Sequence, residues 1–125
     1  MYELPNFVQG PFKDEADFKA AVLEMWRKKF PKITRFEIEN EEKEPGMPDC
    51  LSIMPGCRCF FTEFKVSSGN GVITFEKTQP HFYALHQKLP ISIIAWDSQY
   101  NRAVQIDTVE ILAAKSLKFQ IPKEL

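Results

Sequence analysis

Two short apolar runs separated by a turn form the clearest pattern in the chain. The first run is Cys50 to Met54, the second is Arg58 to Phe61, and Pro55-Gly56 lies between them. Short runs rich in β-branched or aromatic residues and joined by a Pro-Gly pair predict a β-hairpin. The other predicted elements lie before and after this hairpin in the chain.

Before the hairpin, apolar residues recur at the spacing of a helix. Asp14 is a candidate N-cap, and the pattern ends at Phe30 before Pro31. The apolar positions are Phe18, Ala21, Val22, Met25 and Trp26. This spacing predicts an amphipathic helix. Thr34 to Asn40 then predicts the first strand, and the polar segment from Glu41 to Pro45 predicts a surface loop.

The segment after the hairpin predicts a turn and a second helix. Ser67 to Gly71 is rich in small residues, and no Gly-Lys-Ser/Thr follows it, which excludes a Walker phosphate loop. Thr78 can cap the helix, with Pro80 in its first turn. The expected apolar stripe consists of Phe82, Leu85 and Leu89.

The last third of the chain predicts two strands and a short helix. Ile91 to Trp96 is a continuous apolar run typical of a buried strand, and Ala103 to Ile106 predicts an outer strand. Asp107-Thr108 can cap a helix from Val109 to Lys115, and the tail from Lys118 to Leu125 is either an extended edge or loosely ordered. The order of elements predicts an α/β sandwich with a mixed central sheet flanked by helices.

Length and composition add bounds to this picture. The 125 residues predict a single domain, with an N-terminal arm at 1–12 and a C-terminal tail at 116–125. No apolar stretch approaches the roughly 20 residues needed to span a bilayer, and the N-terminus lacks the layout of a signal peptide. We therefore expect a cytoplasmic protein without a membrane partner.

The three cysteines, Cys50, Cys57 and Cys59, lie in the predicted hairpin. An odd number in this setting argues against a disulfide framework and favours reduced thiols. A zinc site with His81 as fourth ligand is an alternative, although the spacing does not match the usual Cys-x-x-Cys pattern.

The net charge of −1 does not have the basic excess that is typical of nucleic-acid-binding domains. Much of the acidity is concentrated in one block, so the remaining surface is net positive. The block consists of Glu37, Glu39, Glu41, Glu42 and Glu44.

Two acids and a lysine flank the hairpin. Asp49 directly precedes its first run, and Glu63-Phe64-Lys65 follows the second, so Asp49 and Glu63 are expected to meet across the strands. Alternation along a strand puts Glu63 and Lys65 on one face. Carboxylates suit Mg²⁺, and a nearby ammonium suits phosphoryl transfer, so the set predicts a metal site. The alternative is an acid pair with a lysine salt bridge on a solvated sheet face.

Gly46-Met47-Pro48-Asp49, then Glu63-Phe64-Lys65, then Gln79 opening a helix resemble the PD-(D/E)XK nuclease superfamily. Within it, the chain is similar to the small phage and bacterial branch with VRR-Nuc-like or Holliday-junction-resolvase-like domains, over about Asp14 to Asp97. The resemblance implies a restriction-endonuclease-like αβββαβ core. It also implies a metal-dependent endonuclease acting on DNA, in repair or recombination, and a homodimer that addresses two strands, as in the resolvases. A module this small has little surface for base readout, so we expect structure-selective cleavage of branched or flapped DNA.

The resemblance further implies the metal ligands. Asp49, Glu63 and the backbone carbonyl of Phe64 would hold Mg²⁺, with Mn²⁺ as a substitute. Glu15 is the candidate for the acid of the first helix that reaches the metal, and Glu24 is the fallback. Favourable placement of an acid at a helix N-terminus explains Glu15 equally well.

The remaining site residues also follow from the resemblance. Lys65 would position and activate the attacking water, and Gln79 would orient water or phosphate near the metal. The residues expected to contact nucleic acid are Ser67, Ser68, Asn70, Lys77 and Tyr83.

Two alternatives to a DNA endonuclease stay open. One is a catalytically silent protein of the same fold that binds or inhibits a partner, which the acidic charge mildly favours and the intact Asp49, Glu63 and Lys65 disfavour. The other is a nuclease acting on RNA, since a site that contacts only phosphate and metal does not distinguish the sugars.

Overall fold

The structure, a computed structural model, describes residues 1–38, 44–56 and 58–125. The helices in these ranges are α1 (Glu15–Lys29), α2 (Thr78–Leu85) and α3 (Thr108–Ala114). The strands are β1 (Tyr2–Glu3), β2 (Thr34–Glu37), β3 (Cys50–Met54), β4 (Arg58–Val66), β5 (Val72–Thr74), β6 (Ile91–Asp97), β7 (Arg102–Asp107) and β8 (Lys118–Gln120). The predictions for Glu39, Asn40, Glu41, Glu42 and Cys57 lie outside the described residues.

The main sheet has six strands in the order β1-β7-β6-β4-β3-β2. Strands β4 and β6 run parallel, and the other neighbouring pairs are antiparallel. The parallel pair requires a crossover connection, which contains α2. A mixed sheet with helices confirms the predicted α/β class.

Each face of the sheet carries its own apolar cluster. On one face, Phe18 of α1 meets Phe64 of β4 edge-on, with ring centroids 6.2 Å apart. On the other face, α2 and α3 bury Phe82, Tyr83 and Ile111 against the strands. Because side chains alternate along β4, Phe64 enters the first cluster while its neighbours Glu63 and Lys65 point to the second face.

The predicted hairpin is present. Strands β3 and β4 are antiparallel, and Cys50 lies opposite Thr62. One step further along the register, Asp49 lies opposite Glu63, as the sequence predicted.

The apolar stripe predicted for the second helix is confirmed at Phe82 and wrong at Leu85 and Leu89. Helix α2 ends at Leu85, whose exposure is 66%, and Leu89 lies beyond the helix and is also exposed. The buried positions are Gln79, Phe82 and Tyr83. Because α2 is short, its contacts with the sheet and with α3 determine which of its residues are buried. One of these buried residues, Gln79, is polar.

The N-terminal arm contains a strand that the sequence pattern did not predict, whereas a strand at the start of the C-terminal tail matches the extended alternative stated for that segment. Strand β1 pairs with β7, so β7 is not the outer strand of the sheet. Strand β8, in the predicted tail, pairs with β5 and forms a separate two-stranded sheet. Strands of two or three residues are too short to show a period. None of the described helices is long and apolar enough to cross a membrane.

Arg102 fixes the C-terminal segment to the main sheet. Its Nε donates to Oδ2 of the fully buried Asp97 at 2.9 Å. Its other two nitrogens donate to the backbone carbonyls of Pro122 and Lys123 at 2.5 and 2.9 Å. The tail after β8 is therefore held in place by a charged side chain.

We expect Arg102→Met to destabilise the protein by about 3–5 kcal/mol, because it leaves the Asp97 carboxylate buried without its ionic partner. Urea denaturation measures the change. Arg27→Met, at an exposed position of α1, is the matched control and should have little effect. A further Asp97→Asn substitution should recover part of the loss. An Arg102→Met protein as stable as the control would contradict this account.

Candidate functional site

A cavity of about 450 Å³ lies where the start of α1, the hairpin, the end of β5 and the start of α2 meet. Its lining includes every residue that the sequence analysis assigned to catalysis: Glu15, Asp49, Glu63, Lys65 and Gln79. These residues are separated by up to 64 positions in the chain, from 15 to 79. The fold therefore gathers the predicted set into one place.

The hairpin positions the two central carboxylates. Asp49 lies one residue before β3, and the backbone N–H of Phe64 donates to its Oδ2 at 3.2 Å. Glu63 is only 2% exposed. One acid therefore lies just before β3 and the other in the neighbouring strand β4. A hydrogen bond from the β4 backbone orients Asp49, and burial restricts Glu63.

Lys65 and Glu63 are joined through Gln79. The Nζ of Lys65, a residue only 5% exposed, donates to Gln79 Oε1 at 2.9 Å. Gln79 Nε2 in turn donates to Glu63 Oε1 at 2.6 Å. Buried polar and charged groups are stable only when they are hydrogen-bonded, so Gln79 supports both neighbours with the two ends of one amide.

The Lys65 ammonium also contacts Thr74 and Phe75. It donates to the backbone carbonyl of Thr74 at 3.2 Å and lies 5.0 Å from the centre of the Phe75 ring. Both residues lie at the end of β5. The sequence analysis missed this contribution, although the β-branched run from Val72 to Thr74 was a signal for a strand.

The start of α2 fixes Gln79. The N-cap is Lys77, whose side chain makes no capping hydrogen bond, so the prediction that Thr78 caps the helix is wrong. Instead, Gln79 Oε1 accepts a hydrogen bond from the backbone N–H of Glu76 at 2.9 Å. The amide oxygen of Gln79 thus accepts hydrogen bonds both from the backbone before α2 and from Lys65. These two bonds explain why a polar residue is buried here.

Glu15 reaches the cavity from the first residue of α1. Its Oε1 lies 3.8 Å from Lys65 Nζ, and 53% of its side chain is exposed. Burial raises the pKa of Glu15, Lys65 lowers it, and the nearby Asp49 and Glu76 raise it. The fallback candidate, Glu24, instead pairs with Lys28 on the exposed side of α1.

Gly46 allows the loop before Asp49 to lie against α2. Its φ is +84°, and a Cβ atom there would overlap the carbonyl group of Thr78. A glycine at this position therefore allows two segments of the protein's own backbone to lie close together.

Two of the five predicted nucleic-acid contacts have structural roles. Tyr83 is fully buried and packs on Phe75 with ring centroids 6.4 Å apart, and burial raises its pKa. Its assignment to a nucleic-acid surface is wrong, because the sequence could not show which side of α2 faces the core. Ser67 is also buried, and its hydroxyl accepts from the Ser98 N–H at 2.8 Å. Ser68, Asn70 and Lys77 are exposed.

The side chains that line the cavity include possible ligands for a metal ion. Within residues 1–38, 44–56 and 58–125, no three His, Cys, Asp or Glu side chains are grouped as a ready metal site. Mg²⁺, however, is commonly held by one or two carboxylates, with water and substrate phosphate completing the coordination. Asp49 and Glu63 fit that requirement. Of the cysteines in the zinc alternative, Cys50 is buried and Cys59 exposed, both as free thiols, and Cys57 is not described.

No protein-family model, curated protein or solved structure matches this chain.

We expect Gln79→Ala to destabilise the protein by about 1–3 kcal/mol, because Lys65 and Glu63 would each lose a buried hydrogen bond. Thermal and urea denaturation measure the loss. Gln87→Ala is the matched control, since Gln87 is exposed and makes one hydrogen bond, to the Ala84 carbonyl. Equal effects of the two substitutions would show that Gln79 does not support the site.

We expect Glu15→Gln to gain stability relative to wild type as the pH rises. A carboxyl whose pKa is raised by folding contributes stability below its unfolded pKa, about 4.3, and that contribution is lost as the pH rises through the folded value. Glutamine does not titrate. The difference in melting temperature between Glu15→Gln and wild type should therefore be larger at about pH 7 than at about pH 3.5.

The control for this series is Glu24→Gln, on the exposed side of the same helix. Its difference from wild type should change little with pH. A Glu15→Gln difference that shrinks as the pH rises would mean that burial does not dominate at Glu15.

Proposed function

We propose that this chain is a metal-dependent endonuclease that hydrolyses DNA phosphodiester bonds. The observation that carries the proposal is the pairing of Asp49 and Glu63 on neighbouring strands, beside the buried ammonium of Lys65. An isolated surface salt bridge would not require a lysine to be buried with its own glutamine partner.

The order of elements supports this proposal. Helix α1, strands β2, β3 and β4, helix α2 and strand β6 follow one another, with only the short β5 inserted. This succession fits the αβββαβ core of the restriction-endonuclease-like fold. Asp49 directly precedes the second strand of this core, β3, and Glu63 and Lys65 lie on the third, β4, as the resemblance to PD-(D/E)XK nucleases implies.

We assign the metal to Asp49, Glu63 and the backbone carbonyl of Phe64. A bound Mg²⁺ or Mn²⁺ would acidify a water molecule and offset negative charge on the phosphate. Asp49 is kept in orientation by the N–H of Phe64, and Glu63 by the amide of Gln79. The chain thus provides oriented ligands before any substrate arrives.

Lys65 is suited to hold the attacking water. Its short hydrogen bonds to Gln79 and Thr74 fix the ammonium, while the contact to Glu15 is longer, at 3.8 Å, and involves a half-exposed carboxylate. A water molecule or phosphate oxygen can replace that third contact. The water oxygen would then bond to phosphorus and release one proton to solvent, the phosphorus–oxygen bond to the leaving sugar would break, and the leaving oxygen would take up one proton from solvent.

Aromatic residues beside the carboxylates support a preference for unpaired bases. Phe61 lies two residues before Glu63 and therefore on the same face, and the register continues this row through Leu51 to Phe36. Phe36 is 51% exposed. Aromatic rings stack on unpaired bases without sequence preference. We therefore propose flapped or branched DNA as the substrate, with two copies of the chain addressing two strands.

The test is cleavage of labelled linear, flapped and four-way-junction DNA, and of matched RNA, with Mg²⁺, Mn²⁺ or a chelator. We expect metal-dependent cutting that is fastest on flapped or branched DNA. Lys65→Ala should reduce the rate by about a hundredfold or more, because the ammonium that positions the attacking water and stabilises developing negative charge is lost. Lys88→Ala, at an exposed site after α2, is the matched control.

Cutting by Lys65→Ala at the wild-type rate would indicate a contaminating nuclease and contradict the proposal. Failure of the wild type to cut any substrate, with nucleic acid still bound, would favour the catalytically silent binding protein. Faster cutting of RNA would move the assignment to an RNA nuclease.

A further inference from the structure

A second groove, of about 440 Å³, lies on the opposite side of the sheet from the carboxylates. It runs between the end of α1 and the strands beneath it, on the face to which Phe64 and Thr62 point. Its lining is mainly apolar and includes Trp26, Phe30, Ile33, Met54, Phe60 and Ile94. A groove of this size and character is typical of sites for small apolar or amphipathic molecules.

Two polar atoms in the groove lack a hydrogen-bond partner among the described residues. Thr62, which is 0% exposed, lines the groove with a hydroxyl that has none, and Arg35 has none at Nε. Buried polar groups in folded proteins are nearly always satisfied, so each such group calls for an explanation. A ligand that accepts hydrogen bonds would supply the missing partner to both.

Arg35 also brings an unneutralised charge to the groove. Its guanidinium lies 5.3 Å from the ring centre of Trp26, and within the described ranges it forms no ion pair. The acid nearest in sequence on the same face, Glu37, pairs with Lys19 instead. Desolvation lowers the pKa of Arg35, which indicates that part of the group is out of water.

We propose that this groove binds a small amphipathic monocarboxylate. The carboxylate meets Arg35 and accepts from the Thr62 hydroxyl, and the apolar chain lies along Trp26, Phe30 and Ile94. An apolar groove alone would suit many occupants. The unpaired guanidinium selects an anion among them, since a neutral or cationic head group would leave it unpaired. This site does not depend on the proposed nuclease activity.

Octanoate is the probe, and octanol is its uncharged match. Titration calorimetry measures the affinity of both, and Trp26 fluorescence reports occupancy because Trp26 lines the groove. We expect saturable binding of octanoate that is at least tenfold tighter than that of octanol. Across hexanoate, octanoate and decanoate, each added methylene should tighten binding by up to about fourfold until the groove is filled.

Two variants test the assigned groups. Arg35→Gln should weaken octanoate binding at least tenfold and leave octanol binding unchanged, whereas Lys118→Gln, an equal charge change at an exposed site, should alter neither. Thr62→Val removes the unpartnered hydroxyl without changing side-chain volume much. It should raise the melting temperature of the ligand-free protein and weaken octanoate binding, so the proposal stays testable if Arg35→Gln does not fold.

Three outcomes would overturn the proposal. One is the absence of saturable octanoate binding by a folded wild type. Another is equal binding of octanol and octanoate, with no effect of Arg35→Gln. The last is a concentration-dependent dimer that Phe30→Asp disrupts and octanoate does not, because a second copy would then occupy the groove. Lys65→Ala should bind octanoate as wild type does, which separates this test from that of the nuclease.

Discussion

Burial of the Lys65 ammonium is the constraint on which the rest of the site depends. A charged group that is 5% exposed needs acceptors on all sides, and here they come from three different elements. Gln79 comes from α2, the Thr74 carbonyl from β5 and the Glu15 carboxylate from α1. Satisfying one ammonium therefore fixes how these elements sit around β4.

The two faces of strand β4 have different roles in the molecule. Phe64 is fully buried against Phe18, while its neighbours Glu63 and Lys65 face the cavity. The same backbone also donates from Phe64 to Asp49. Since core packing holds Phe64 in place, it also sets the position of the acids on the other face. The second groove lies on the same face of the sheet as Phe64, near Thr62 and the end of α1.

The C-terminal segment supports the site from a distance along the chain. Thr74, whose carbonyl accepts from Lys65, lies opposite Lys118 in the small sheet formed by β5 and β8. The chain after β8 is in turn bound by Arg102, which is paired with the buried Asp97. Loss of that ion pair is expected to loosen an acceptor of the Lys65 ammonium as well as the tail.

Local patterns in the sequence determined the hairpin, the long helix α1 and the meeting of Asp49 with Glu63. Those features depend on alternation, helical spacing and turn residues, which act between neighbours in the chain. Alternation along β4 also placed Lys65 beside Glu63, and the resemblance to a nuclease family led to Glu15 and Gln79. Only the tertiary structure decided that Tyr83 is core, that α2 buries Gln79, and that β5 and β8 form a sheet. Those outcomes depend on contacts between segments remote in sequence, and elements of three to eight residues are too short for their own pattern to choose a buried side.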